Sequence, residues 1–163
     1  CKLLSETLGY EYVYTGGALR EMAKERGMPI EDFYRELSKD LNLEKTLDAK
    51  SEKLMQSRDN VIVEGRVAPF QKAAFSTVNI LLTVTPREGA LRQSLRSENK
   101  GKSVAEIERL TVERIGNERA HYQALYSIED HFDPKKFDIV VDTTNLSVGE
   151  TFDLVLGKVK KLL

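Results

Sequence analysis

Two stretches of this chain end a β-like run in glycine and then place an arginine shortly after it. One is Thr15-Gly16-Gly17-Ala18-Leu19-Arg20, entered from the mostly apolar run Tyr10 to Tyr14; the other is Glu64-Gly65-Arg66, entered from Val61-Ile62-Val63. Glycine lets backbone approach a ligand closely. Arginine presents a planar fork of donors that matches a phosphate or a carboxylate. At the carboxyl ends of neighbouring strands, the two arginines would make an anion site in the crevice where open α/β sheets bind ligands. Taken singly, Arg20 also reads as a solvated helix arginine, Arg66 as a structural ion-pair partner and Gly16-Gly17 as an ordinary strand-to-helix turn. The matched pair favours the anion. Glu64 closes its strand near the same crevice, where it either serves the site or pairs with Arg66 and nothing else. A second concentration of cations lies further on, at Arg87, Arg92, Arg96, Arg109, Arg114 and Arg119. Any one of these reads as a solvated helix face; the cluster does not. A glycine-rich phosphate loop is missing from these residues. The Gly-Lys steps are Gly101-Lys102 and Gly157-Lys158, and neither follows a strand.

The elements that must position these groups alternate. The opening residues, Cys1 to Gly9, carry an amphipathic helical pattern with Gly9 as its stop. Residues 10 to 14 read as a strand, and 17 to 26 as a helix closed by Gly27. Pro29 opens a second helix, to about Ser38, and a charged third helix fits Leu43 to Gln56. Asn60 to Glu64 is short and β-branched, as a buried parallel strand should be. Ala68 to Ser76 is ambiguous, with a short helix one reading, and Val78 to Val84 is the strongest strand pattern. Thr85-Pro86-Arg87-Glu88 starts a helix to about Glu98. Ser103 with Glu106 then caps a long helix to about Leu125, interrupted only by Gly116. A loop around Asp133-Pro134 leads to a strand from Asp138 to Asp142. Ser147 with Glu150 caps a last helix whose apolar side is Phe152, Val155, Leu156, Val159 and Leu162. Strands alternating with helices imply an α/β fold with a mainly parallel sheet covered on both faces.

Composition narrows the classes. At 163 residues the chain has room for one domain with a sizeable core. Apolar residues at 40% and charged residues at 31% describe a globular chain, and a net charge of −1 provides no global pull toward nucleic acid or membrane. Cys1 is the single cysteine, which excludes an internal disulfide and a cysteine-cluster zinc site. No apolar run approaches the length of a membrane span, and no secretory signal is visible, so a cytoplasmic protein is expected.

With the elements placed, the chain resembles the cytidylate kinases, within the nucleoside monophosphate kinase group of P-loop kinases. The resemblance rests on the opening Cys1-Lys2-Leu3-Leu4; on Thr15 to Arg20 as the family's Ser/Thr-Gly-Ala-x-Tyr/Phe-Arg; and on Ala23-Lys24-Glu25-Arg26-Gly27-Met28 with Glu31 and Phe33. It also rests on Glu64-Gly65-Arg66, and on Tyr122-Gln123-Ala124-Leu125-Tyr126-Ser127-Ile128 followed by Phe137 to Leu146. The resemblance implies a three-layer α/β/α nucleotide-kinase fold over residues 1–163, a single domain. Its acceptor-nucleotide helices would lie at about 17–57 and its lid-like region at about 87–120. It implies transfer of the γ-phosphoryl of ATP to CMP or dCMP with Mg2+, in pyrimidine metabolism, by a monomer with no nucleic-acid or membrane partner. Thr15, Gly16, Arg20, Glu64, Gly65, Arg66, Arg114, Glu118 and His121 would meet the acceptor nucleotide, with Glu64 organising Mg2+ through water. Arg92 and Arg114 would be catalytic, and Arg92, Arg96 and Arg119 would close over ATP. Tyr10, Tyr12, Tyr14 and Phe33 either line the nucleoside pocket or pack in the core, the commoner use of such residues.

Two residues depart from the family pattern. His121 stands where the family carries an arginine, and Ser127 where it carries a glycine. Histidine is mostly neutral at pH 7 and has no donor fork, so it holds a phosphate weakly; a structural role for it is equally open. These departures keep two alternatives in view: a non-catalytic nucleotide-binding relative, and another small-metabolite kinase in which Arg20 and Arg66 hold a carboxylate. Since the chain opens inside a helical pattern, the natural protein is expected to extend upstream with a strand and a loop ending in Gly-Lys-Ser/Thr. The segment alone is not expected to catalyse ATP-dependent transfer.

Overall fold

The computed structural model describes residues 1–29, 32, 33, 36 and 41–163, and the chain divides into two compact units, Cys1–Thr77 and Val78–Leu163.

In the first unit, helix α1 (Lys2–Leu8) stops at Gly9, whose positive φ of 69° places it in the left-handed region. Strand β1 (Glu11–Tyr14) passes without a break into helix α2 (Thr15–Glu25), two residues earlier than the glycine pair suggests. Tyr14 contributes no side-chain cap to α2. The amphipathic side of α2 buries Ala23 against Phe33, with Leu19, Met22 and Met28 packed around them. Phe33 is fully buried and the Arg26 guanidinium lies 5.3 Å from its ring centroid, so core packing accounts for this aromatic. The helix expected from Pro29 to about Ser38 lies for the most part outside the described residues. Helix α3 (Leu41–Ser57) and strand β2 (Val61–Glu64) follow, with a 3₁₀ turn at Ala68–Phe70 inside the stretch that sequence left ambiguous. Strands β1 and β2 are parallel, with Glu11 opposite Val61, Tyr12 opposite Ile62, Val13 opposite Val63 and Tyr14 opposite Glu64.

In the second unit, strand β3 (Ile80–Thr83) leads to helix α4 (Pro86–Ser94), with proline in the first turn as the Thr85-Pro86 pair requires. This helix ends before Glu98; Ser97–Asn99 form a 3₁₀ turn instead. Helix α5 (Val104–Tyr126) begins where the Ser103 side chain accepts from the Glu106 backbone N–H. It runs through Gly116 without interruption. Strand β4 (Ile139–Asp142) pairs in parallel with β3, and helix α6 (Val148–Val159) opens on a complete Ser147/Glu150 capping box. Val155 and Val159 of α6 are buried, whereas Leu162 at the end of its expected apolar stripe is exposed.

Among the described residues the strands form two parallel pairs, β1–β2 and β3–β4, each strand having one hydrogen-bonded neighbour. Burial along the β3–β4 pair alternates among the described residues. Buried Leu81 (6% exposed) stands opposite Val140 (40%), and buried Val141 (4%) opposite Leu82 (47%). Among the described residues no helix is long and apolar enough to cross a membrane.

Candidate functional site

The first unit assembles the two glycine-arginine stretches at one place. Because β1 and β2 are parallel and Tyr14 sits opposite Glu64, the residues after each strand leave the same edge side by side. The Thr15 hydroxyl donates to the Glu64 backbone carbonyl at 3.0 Å, tying the start of α2 to the end of β2. Contact is so close that a Cβ on Gly65 would lie 2.5 Å from Thr15 Oγ1. A Cβ on Gly16 or Gly17 would press on the Tyr14 ring, at 3.0 and 2.7 Å. These glycines are there for space: their φ angles are not in the left-handed region.

Arg20, in the second turn of α2, turns back over the strand end. Its guanidinium donates to the Tyr14 hydroxyl, lies 5.6 Å from that ring's centroid and reaches the Gly16 carbonyl at 3.5 Å. Arg66 follows β2 by two residues and is half-buried. The Glu64 carboxylate accepts a 2.6 Å hydrogen bond from the Tyr12 hydroxyl. Burial, then the hydrogen bond to Glu64 and its negative charge, push the Tyr12 phenol well above its ordinary pKa, so it stays a donor. Tyr12, read from sequence as either pocket-lining or core, meets Glu64 across the β1–β2 pair.

Helix α2 aims its first-turn N–H groups, without a side-chain cap, at the same strand end, which adds partial positive charge there. Thr15 and Gly16 after β1, and Glu64, Gly65 and Arg66 at the end of β2, therefore lie along one edge, with Arg20 one turn further on. Among the described residues no group of three or more His, Cys, Asp or Glu side chains could hold a metal ion. A lone half-buried carboxylate oriented by Tyr12 suits a cation that keeps its own water shell, as Mg2+ does.

The second unit places the later arginines differently: each meets an acceptor of its own unit. Arg92 is held on all three nitrogens. Nε donates to Glu88 at 2.9 Å, Nη1 to the Thr143 hydroxyl at 3.1 Å, and Nη2 to the carbonyls of Thr143, Thr144 and Leu146 at 2.7, 3.2 and 3.4 Å. The guanidinium expected over phosphates thus fastens the loop between β4 and α6. Arg87 faces Glu108 and Arg96 faces Glu98, both at 3.8 Å, and Arg109 faces Glu113 at 3.3 Å.

Along α5, Arg114 Nε lies 3.7 Å from Glu118 Oε1, and the opposite oxygen, Oε2, lies 3.8 Å from Nε2 of His131. Arg119 makes a two-pronged contact with Asp130, at 3.2 and 2.9 Å. His121 is half-buried beside Tyr122, ring centroids 5.7 Å apart. Ser127 caps α5 in the left-handed region at φ 58°, which supplies a local reason for glycine at that position. Arg114, Glu118 and His121 thus share one helix, whereas Arg92 and Arg96 lie on and after α4. His131 carried no signal in sequence; it is brought in by the turn after α5.

A family model described as an AAA domain matches residues 1–116. The cytidylate kinase of Methanopyrus kandleri is 31% identical over 98% of this chain and 85% of that protein. The cytidylate kinase of Thermoplasma volcanium is 32% identical, covering 98% of this chain and 83% of the relative. That of Pyrococcus furiosus is 32% identical, covering 99% and 81%.

Proposed function

The chain belongs to the cytidylate kinase family, a family of phosphotransferases, and from that premise we propose that it moves the γ-phosphoryl group of ATP to CMP or dCMP. The observation that carries this reading is the β1–β2 register, which sets Thr15-Gly16 with Arg20 and Gly65-Arg66 at one strand end. In the proposal, Arg20 and Arg66 grip the dianionic phosphate of the acceptor and turn one of its oxygens toward the phosphoryl group. Positioning and charge neutralisation supply most of the catalysis in such transfers. Gly16 and Gly65 leave room for the phosphate, and Thr15 keeps the two strand ends together.

Glu64, oriented by Tyr12, would hold Mg2+ through its waters; that ion neutralises the donor's phosphates. Arg114, with Glu118 and His121, serves the acceptor and the developing charge, while Arg96 and Arg119 serve ATP. Arg92 serves ATP and the developing charge, and it also fastens the Thr143–Leu146 loop. These assignments follow family position and are supported by the charge of each residue and by the partners described above. The fold in this reading is the three-layer α/β/α type over a single kinase-like domain, supported by the helical crossovers joining the parallel strands of each unit. A monomer in the cytoplasm, without nucleic-acid or membrane partners, completes the proposal.

A steady-state assay of the natural gene product with ATP, Mg2+ and each of CMP, dCMP, UMP and AMP tests it. The expected result is highest kcat/KM for CMP or dCMP. Turnover of none above background overturns the reading.

A further inference from the structure

His131 is one of the two largest fully buried side chains among the described residues, with 1% of its surface exposed. It lies in the turn after α5 with its ring edge-on to Tyr122, centroids 5.0 Å apart at 84°, and tilted against Phe132 at 4.1 Å. Two aromatic rings hold the imidazole in one plane. Nε2 sits 3.8 Å from Glu118 Oε2, while Arg114 Nε sits 3.7 Å from the other oxygen of the same carboxylate. Glu118 is itself largely buried, with 16% of its side chain exposed. The turn that carries His131 is anchored independently. Asp130 takes the two-pronged contact from Arg119, and its Oδ1 also accepts from the Phe132 backbone N–H at 2.9 Å.

We propose that His131 is a positioning residue: it fixes the Glu118 carboxylate from the side opposite Arg114, and so sets where the Arg114 guanidinium points. A carboxylate near only one cation can swing about its side chain. One lying between a guanidinium and a caged imidazole has its orientation set, and in a poorly solvated place such constraints persist. Among the described residues, the charged and titratable groups near the imidazole include Glu118 and Tyr122 from α5, with Arg114 on the far oxygen of Glu118 and Asp130 next in the chain. His121 lies beyond Tyr122. This inference rests on the proposal that Arg114 and Glu118 meet nucleotide, but the geometry it describes can be read without any nucleotide.

The test uses the natural gene product and follows the Arg114 Nε–Hε resonance by NMR, with and without CMP. His131→Phe keeps an aromatic ring between Tyr122 and Phe132 but removes both nitrogens. It should move the Arg114 resonance in the apo protein and lower kcat/KM for CMP by about tenfold, while backbone resonances away from the turn stay in place. His131→Gln, which keeps a polar group there, should recover part of both effects. Should His131→Phe fail to fold, Glu118→Gln must move the same resonance without disturbing the buried ring. An Arg114 resonance indifferent to the folded His131 variant, or to Glu118→Gln where that variant does not fold, overturns the inference. If the resonance moves but the wild-type protein turns over no nucleotide, the positioning stands and the kinase reading fails.

Discussion

The strand ends of the first unit and the arginine-bearing helices of the second differ in how tightly backbone is packed beside the positive charge. Around Thr15, Gly16 and Gly65 the backbone itself is pressed close, and Arg20 lies against the Tyr14 ring and a carbonyl of its own helix. In the second unit Arg87, Arg92, Arg96, Arg109, Arg114 and Arg119 each face a carboxylate of that unit. The first arrangement is a shape made before any anion arrives, since Thr15 and Gly65 fit together only without a Cβ. The second is a set of ion pairs, mostly half-exposed, which an incoming polyphosphate can enter only by exchanging partners. Surface pairs of this sort contribute little to stability, so exchange is inexpensive at Arg87, Arg96 and Arg109, and costlier at Arg92, Arg114 and Arg119. At Arg92, backbone carbonyls of a loop take the place of solvated carboxylates.

The largest effect that sharpens this contrast is expected from Arg66→Ala. Removing one preorganised donor from developing charge costs roughly 100-fold or more, so kcat/KM for CMP should fall by that factor while urea unfolding changes little. An unchanged kcat/KM would break the contrast, because the strand end would then be no site. Gly65→Ala attacks the shape instead of the charge. Its new methyl group meets the stiff β-branched Thr15 at 2.5 Å, and overpacking of this kind costs about 1–3 kcal/mol. Chemical denaturation should record that loss, and Thr15→Ala, which removes the Oγ1 that the new methyl meets, should offset part of it.

In the second unit, Arg92→Ala should lower unfolding free energy by about 1–2 kcal/mol through the carbonyls it leaves behind. Arg96→Ala, which gives up only a 3.8 Å surface pair, should stay within about 0.5 kcal/mol of wild type. Equal effects would show that Arg92 is an ordinary member of the arginine set. The smallest expected change is a gain. Ser127 holds φ at 58°, and Ser127→Gly should raise stability by about 0.5 kcal/mol, because relief of left-handed strain slightly exceeds the added unfolded-state entropy.

How far sequence alone reached divides along the same line. Local chemistry was legible: the Ser147/Glu150 box needs residues three apart, Gly9 stops its helix where the apolar pattern ends, and the paired strand ends announced themselves by glycine and arginine. Contacts across long separations were not. The Tyr12 hydroxyl meets Glu64 only because of the β1–β2 register, so sequence alone leaves a strand tyrosine between pocket and core. Arg92 belonged by position to a lid, yet it finds its carbonyls in a loop 51 to 54 residues away. His131 sits in a turn whose fold-back onto α5 depends on the Arg119–Asp130 contact, and no periodicity encodes that. The exposure of Val140 and Leu82 was hidden for a different reason. Burial depends on how many strands lie side by side, and an apolar β-branched run looks the same in a narrow ribbon as in a wide sheet.

The central claim is that Arg20 and Arg66 act on one and the same phosphate, and a double-mutant cycle on CMP binding tests it most directly. Calorimetric titration of wild type, Arg20→Ala, Arg66→Ala and the double variant should give non-additive losses, with a coupling free energy above about 0.5 kcal/mol. Cytidine, which lacks the phosphate, should bind all four proteins alike. Strictly additive losses, or equal losses with cytidine, would contradict the account.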